Sequence, residues 1–349
     1  MMQLRLLGKS GLRVSELALG TMTFGEDWGW GAGQETARQI FERYTAAGGN
    51  FIDTSNNYTN GTSETFVGEF IHAQRDRYVV ATKYTLRLTT GDEHNPNLGG
   101  NSRKSMLRSV ENSLRRLNTD YIDLLYLHMW DYTTPVEEVL RAADDLVRAG
   151  KVLYFGFSDT PAWVVSHAVA KAEDLGWTRP VAMQIPYSVA GRDVERDVLP
   201  MARAYDLAIL PWGLLAGGVL TGKYSQTENG APRRESEVSD RGLRLGEAVQ
   251  AIADEMGRSP SQVAINWVRQ QQERALIIPI LGARTLEQVT DNLACLEWEL
   301  SEKQLSRLDE ASKISYDFPL GWLEGARRYV YGKTYDLVDP HNERRLPKL

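Results

Sequence analysis

The sequence predicts an α/β chain folded as a (β/α)8 TIM barrel, with an N-terminal β-hairpin and long loops at the C-terminal face. Three observations predict it. Apolar runs of four to eight residues recur eight times, stretches of helical periodicity separate them, and four polar phrases each stand where an apolar run ends. Those phrases are Phe51-Ile-Asp-Thr-Ser-Asn-Asn-Tyr58, Ala81-Thr-Lys83, Tyr126-Leu-His-Met-Trp-Asp131 and Gly156-Phe-Ser-Asp159. Loops leaving the C-terminal strand ends of a parallel barrel meet on one face, so Asp53, Tyr58, Lys83 and His128 are expected in one pocket.

Taken in order, Leu4–Leu7 and Leu12–Ser15 flank the glycine-rich turn Gly8-Lys-Ser-Gly11 and form the hairpin, 4–15. The barrel, about 16–312, draws its strands from Leu17–Gly20, Phe51–Thr54, Tyr78–Lys83, Ile122–His128, Val152–Ser158, Val181–Ile185, Leu207–Pro211 and Leu276–Leu281. These runs are nearly continuous in apolar residues, as strands covered on both faces must be. The clearest helices are Glu35–Ala47, stopped by Gly48-Gly49; Ser102–Leu117; Val136–Ala149, between Pro135 and Gly150; and Pro161–Leu175, stopped by Gly176. Strand followed by helix implies parallel strands with helical crossovers, and eight units favour a closed barrel over an open doubly wound sheet. Three segments exceed the minimal unit, Leu86–Asn101, Thr221–Gly242 and Ile314–Leu349, and loops of that length are expected to shape substrate choice. No linker divides the chain, so 1–349 is expected to be one domain ending in a tail at 313–349.

Composition narrows the function classes. With 40 basic and 46 acidic residues spread along 349 positions, net charge −6, the chain carries no basic footprint for nucleic acid. A small-molecule partner is expected. The single cysteine, Cys295, allows neither an intrachain disulfide nor a cysteine-based zinc site. No run of about 18 apolar residues and no leader-like N-terminus is present, so the expected setting is cytoplasmic, without membrane contact.

Any one of the strand-end residues has an ordinary structural role open to it; their joint placement points to chemistry. A phenol with a pKa near ~10 is a weak acid at neutral pH unless a cation favours phenolate. Lys83 is the expected cation, and Asp53 the carboxylate that holds it. The imidazole of His128 is then placed to donate a hydrogen bond to a substrate oxygen while Tyr58 delivers a proton. One His and one Asp fall short of a metal site, and no Gly-x-Ser-x-Gly elbow supports a serine triad.

These phrases, in this order, resemble the aldo-keto reductase family from about Leu4 to Ser312. The resemblance implies a catalytic tetrad of Asp53, Tyr58, Lys83 and His128, and hydride transfer from NADPH, with NADH less favoured, to an aldehyde or ketone. It also implies that Thr21, Ser158, Asp159, Gln184 and Trp212 hold the nicotinamide end, with Tyr187 beside them. Trp212-Gly-Leu-Leu-Ala-Gly-Gly-Val-Leu-Thr-Gly-Lys-Tyr224 resembles the family's pyrophosphate segment, which marks Gly213, Leu214, Gly218 and Lys223. Gly282, Arg284, Gln288, Asp291 and Asn292 resemble the adenosine end, where a helix N-terminus beside Arg284 suits a ribose 2′-phosphate. Gly29-Trp-Gly-Ala-Gly33 has the wrong spacing for a dinucleotide fingerprint.

Three positions depart from the family pattern: Asp159 where Asn is frequent, Gly213 where Ser is frequent and Asp291 where Glu is frequent. Trp28, Trp30, Tyr84 and Trp130 are expected to wall the substrate pocket and to favour a bulky, apolar carbonyl. Two other readings compete with reduction: a cofactor-binding regulatory subunit of the same fold with slow turnover, and a Schiff-base aldolase using Lys83.

Overall fold

The computed structural model of the protein describes residues 2–90, 92–222 and 238–337. The predicted Lys223, most of the long segment after Thr221 and the end of the tail lie outside the described residues. Eight strands lie in sequence order and all neighbours are parallel. Strands one to seven are Ala18–Gly20, Phe51–Asp53, Val79–Tyr84, Ile122–Leu127, Val152–Ser158, Ala182–Pro186 and Ala208–Trp212.

The eighth differs from the expected continuous run. It is split into Leu276–Ile277 and Ile280–Gly282, because Pro279 lacks the N–H that a ladder position requires. The first half pairs with strand seven and the second with strand one. Ile278 N donates to Ile209 O (2.9 Å) and Ala18 N to Pro279 O (2.9 Å), so the sheet closes on itself across the break. The expected (β/α)8 barrel is therefore the observed fold. The antiparallel hairpin Leu4–Leu6 and Arg13–Ser15 precedes it.

The predicted helices stand at Gln34–Ala46, Arg103–Leu117, Val136–Arg148 and Ala162–Leu175. Gly176 ends the last with a left-handed φ of 62°. Further helices follow strands two, six and eight, and two, Asp240–Met256 and Pro260–Arg269, separate strands seven and eight. Within the tail, where the sequence signals no element, the chain forms a helix at Leu320–Tyr331, entered after Pro319 and stopped at Gly332.

Alternation along the strands builds two cores. Phe51, Val79, Ala81, Leu124, Tyr126, Ala182, Ala208, Leu210 and Ile280 fill the barrel interior, and Leu7 and Val14 of the hairpin pack with them. Ile52, Val80, Leu125, Leu127, Phe157, Met183 and Ile209 point outward to the helices. Because strand side chains have period two, Asp53, Lys83, Ser158, Gln184 and Trp212 share the inward parity of the interior set. They are the polar rim of the same column of side chains.

In the outer core, Trp267 is fully buried, its ring 5.3 Å from that of Tyr187 and its Nε1 donating to Asp309 Oδ1 at 3.1 Å. Trp267→Ala should lower stability by about 3–5 kcal/mol through the cavity it leaves. A urea midpoint unchanged from the parent would contradict that packing.

Candidate active site

Lys83, next to the last residue of strand three, has no solvent exposure, and its ammonium donates to three acceptors: Asp53 Oδ2 (2.7 Å), Thr54 O (2.7 Å) and the Tyr58 hydroxyl (3.0 Å). Those are all the protons an ammonium has. Burial opposes the charge, but Asp53 and Tyr58 outweigh it and hold the lysine above its ordinary pKa. Asp53 is completed by Gln184, whose Nε2 donates to Oδ1 at 2.7 Å. A carboxylate only accepts, so this contact fixes which end of the Gln184 amide faces the barrel axis.

The Tyr58 loop is held in an uncommon conformation. Thr59 (φ 44°), Asn60 (φ 55°) and Gly61 (φ 98°) are all left-handed, and a Cβ at Gly61 would lie 2.8 Å from Arg116 Cδ. Thr59 Oγ1 donates to Phe24 O (2.6 Å). Below, the buried Glu64 carboxylate accepts from Arg116 Nε (2.7 Å) and Thr82 Oγ1 (2.5 Å). These ties offset backbone strain at a functional loop. The hydroxyl itself differs from expectation. Burial raises the Tyr58 pKa more than Lys83 lowers it, so Tyr58 rests as a neutral phenol rather than poised toward phenolate.

His128 follows strand four. Its backbone N lies 3.3 Å from both Tyr84 O and Thr85 Oγ1, and its ring meets that of Tyr58 edge-on at 6.0 Å. Burial, then the charge of Lys83, pushes its pKa down from 6.5 to about 3. Two partners carry no signal in the predicted tetrad. Ser55 Oγ lies 3.2 Å from His128 Nδ1 and donates to Asn57 Oδ1 at 2.8 Å, which couples the imidazole tautomer to that asparagine. Asn101 knits the neighbouring loops: its Nδ2 donates to Thr85 Oγ1 (3.0 Å) and Met129 O (2.9 Å), and its Oδ1 accepts from Asp131 N (2.8 Å). Ser55 stands inside the motif and was open to suspicion; Asn101 needs the fold to be seen.

The other expected residues fall into three groups. Ser158 and Gln184 reach the same rim, and Asp159 and Trp212 join across it, Trp212 Nε1 lying 3.4 Å from Asp159 Oδ1. Trp212, Gly213 and Tyr187 border a cleft of about 400 Å³ that Gly217, Arg241 and Gly242 also line. Left-handed backbone at Gly213, Ala216, Gly217 and Gly218 curls this segment, and Leu214 is buried beneath it.

At the second group, strand eight, Arg284 is exposed beside the N-terminus of helix Leu286–Leu293, and its backbone N donates to Gln288 Oε1 (2.8 Å). Asp291 is committed elsewhere: Ser259 Oγ and Gln262 Nε2 occupy its two oxygens at 2.7 Å each. Asn292 Nδ2 donates to Gly282 O at 3.1 Å.

One expected pocket residue is corrected by the structure, and Thr21 is held inside the fold. Tyr84 follows the inward Lys83 and so points out; it is fully buried among helices, its hydroxyl donating to Asn101 O at 3.2 Å. It walls no pocket. Thr21 is fully buried, and its Oγ1 lies 3.0 Å from Asp53 O and 2.8 Å from Ser63 Oγ. Trp28 and Trp30 are half-buried with ring centroids 5.7 Å apart, and Trp130 is half-buried after His128. Among the described residues no His, Cys, Asp or Glu cluster suits a metal, and no helix is long and apolar enough to cross a membrane.

Comparison with known proteins agrees with this geometry. The sequence profile of the aldo/keto reductase family matches residues 16–313. The chain is 39% identical over 327 residues to norsolorinic acid reductase of Aspergillus flavus, covering 91% of this chain and 83% of that protein. It is 38% identical over 330 residues to an NADP+ aryl-alcohol dehydrogenase of Phanerodontia chrysosporium, covering 88% and 85%. Norsolorinic acid reductase B of Dothistroma septosporum is 39% identical over 329 residues, covering 90% and 82%.

With its pKa at about 3, His128 should stay neutral throughout the working range. A base with a depressed folded pKa stabilises the fold above the unfolded value and loses that contribution as pH falls toward the folded one. His128 should therefore weaken the fold only as pH drops from about 6.5 toward 3. Histidine ring titration by NMR checks this; a midpoint for His128 near its ordinary value would contradict it.

Proposed function

Because this chain belongs to the aldo/keto reductase family, we propose that it is an NADPH-dependent oxidoreductase that reduces an aldehyde or ketone to the alcohol, with Tyr58 as general acid. The observation that carries the reading is the three-way engagement of Lys83 with Asp53, Thr54 and Tyr58 at the strand ends. A neutral phenol beside a fixed ammonium can give its proton to a carbonyl oxygen, while Lys83 stabilises the phenolate left behind. The neutral His128 ring stands edge-on to Tyr58 in the same pocket.

The cleft beside Trp212 would take part of the cofactor. Its volume of about 400 Å³ lies within the range of small-molecule sites, and glycine backbone at Gly213 and Gly217 lets a ligand approach closely. When bound, the nicotinamide cofactor supplies hydride. Ser158, Asp159 and Gln184 would hold its carboxamide end and Trp212 would flank its ring. Lys223 would meet the phosphates, and Arg284 with Gln288, Asp291 and Asn292 the adenosine end. Asp291 has both oxygens engaged inside the protein, so its contribution is to position the helix that carries Asn292. Exposure of Arg284 next to a helix N-terminus supports the 2′-phosphate and hence NADPH.

The names of the relatives support a ring-bearing carbonyl or alcohol as the substrate pair. Trp130, with the Trp28–Trp30 pair, is the wall suited to it. A Schiff-base role for Lys83 runs against the structure, because attack needs a neutral amine and this one gives protons to three acceptors.

Steady-state NADPH consumption across a panel of aromatic and aliphatic carbonyls tests the reading. Tyr58→Phe should lower kcat by at least about a thousandfold, since the acid is lost, while the dissociation constant for NADPH stays within about threefold. Full activity in that variant would sink the mechanism, and a bound cofactor without turnover on any carbonyl would favour the regulatory-subunit reading. Arg284→Ala should weaken NADPH by about tenfold and leave NADH unchanged; equal losses for both would remove the 2′-phosphate assignment.

A further inference from the structure

Asp159 is a second carboxylate at the rim, and the tetrad does not use it. The chain leaves strand five at this residue with a left-handed φ of 40°. Its backbone is tied on both sides: Asp159 N donates to Gln184 O (3.2 Å), and Trp130 N to Asp159 O (3.4 Å). Its side chain is half-buried, and Oδ1 faces Trp212 Nε1 at 3.4 Å. Asp159 thus contacts Trp212, which borders the cleft, and is tied by its backbone to Trp130, two residues after His128.

The local charge balance is uneven. Lys83 is matched by Asp53 at 2.7 Å, and His128 is neutral. Arg241, which lines the cleft, donates to Ala190 O (3.2 Å) and Ser312 O (3.0 Å). Among the described residues no cation forms an ion pair with Asp159: its one hydrogen-bond donor from a side chain is the uncharged indole of Trp212, Lys83 acts on it only through space, and burial raises its pKa. The field of the carboxylate reaches the reacting end, where it works against ionisation of Tyr58.

We propose that Asp159 is a specificity-determining residue that selects against substrates carrying a carboxylate near the carbonyl, and favours neutral or cationic ones. A substrate anion placed at the rim meets one negative charge that no ion pair offsets, and a cation gains by the same amount. The inference rests on carbonyl reduction as the activity of this site. It adds the class of carbonyl the site accepts: formyl or keto compounds without an acid group close to the reacting carbon.

Three para-substituted benzaldehydes of similar size test it: 4-carboxybenzaldehyde, methyl 4-formylbenzoate and 4-(trimethylammonio)benzaldehyde. Each is assayed at saturating NADPH with the parent and with Asp159→Asn, and ratios within one protein cancel any change in cofactor binding. Asn keeps the shape of Asp and tolerates a positive φ, so the variant should fold. At a separation of about 8 Å and an effective dielectric between protein and water, one charge is worth about fivefold to tenfold. The parent should therefore show kcat/KM about fivefold to tenfold lower for the acid than for the ester, and higher for the cation. Asp159→Asn should bring all three together.

Ratios that are the same in both proteins would overturn the proposal, as would a parent that prefers the acid. Dissociation constants for the three compounds on the NADPH complex, read by tryptophan quenching with Tyr58→Phe added to each protein, give the same ratios without turnover. If no compound is reduced, the reductase reading falls, and these binding ratios still decide the role of Asp159.

Discussion

A lysine ammonium cannot be left bare inside a barrel. Desolvating it costs several kcal/mol, and the structure answers with three acceptors on one charge. Much of the upper barrel follows from satisfying that demand. Asp53 must sit one strand away at the same height, Gln184 must cap the other carboxylate oxygen from across the barrel, and the Thr54 carbonyl must turn inward. Tyr58 then completes the set from a loop, which explains why that loop is pinned by Thr59, Arg116 and Glu64. Removing Lys83 would strand a buried carboxylate, so stability and chemistry rest on the same three contacts.

Strand parity carries the second layer of organisation. One column of side chains begins with apolar residues of the barrel interior, such as Phe51 and Ala81, and ends in Asp53, Lys83, Ser158, Gln184 and Trp212. The apolar part holds the strands in register, and the register delivers the polar part to a common height. The same rule sends Tyr84 into the outer core.

Much of this was legible in the sequence because the strand runs and the phrases at their ends coincide. Strands one to seven lie within one or two residues of their expected bounds, and Asp53, Lys83 and Tyr58 meet as their placement implies. What was hidden is of two kinds. Some of it is three-dimensional: whether the Tyr58 hydroxyl responds more to burial or to Lys83, that Asp291 serves the cap of helix Pro260–Arg269, and that Asn101 bridges two loops. The rest is a matter of applying the alternation rule one residue further. Tyr84 lies next to a functional position in sequence but on the opposite face, so adjacency misled where parity would have excluded it. Pro279 was also visible within the last strand run, and its missing N–H is the reason that strand is split.

The split strand makes the barrel a sheet fastened by a clasp. Five paired residues, two on one side of Pro279 and three on the other, keep strands one and seven from being free edges. Strand edges are templates for pairing between chains. A local opening at Leu276–Gly282 would therefore convert a barrel sheet with no free edge into one with two, and this short seam would be the place where solubility is first lost under stress.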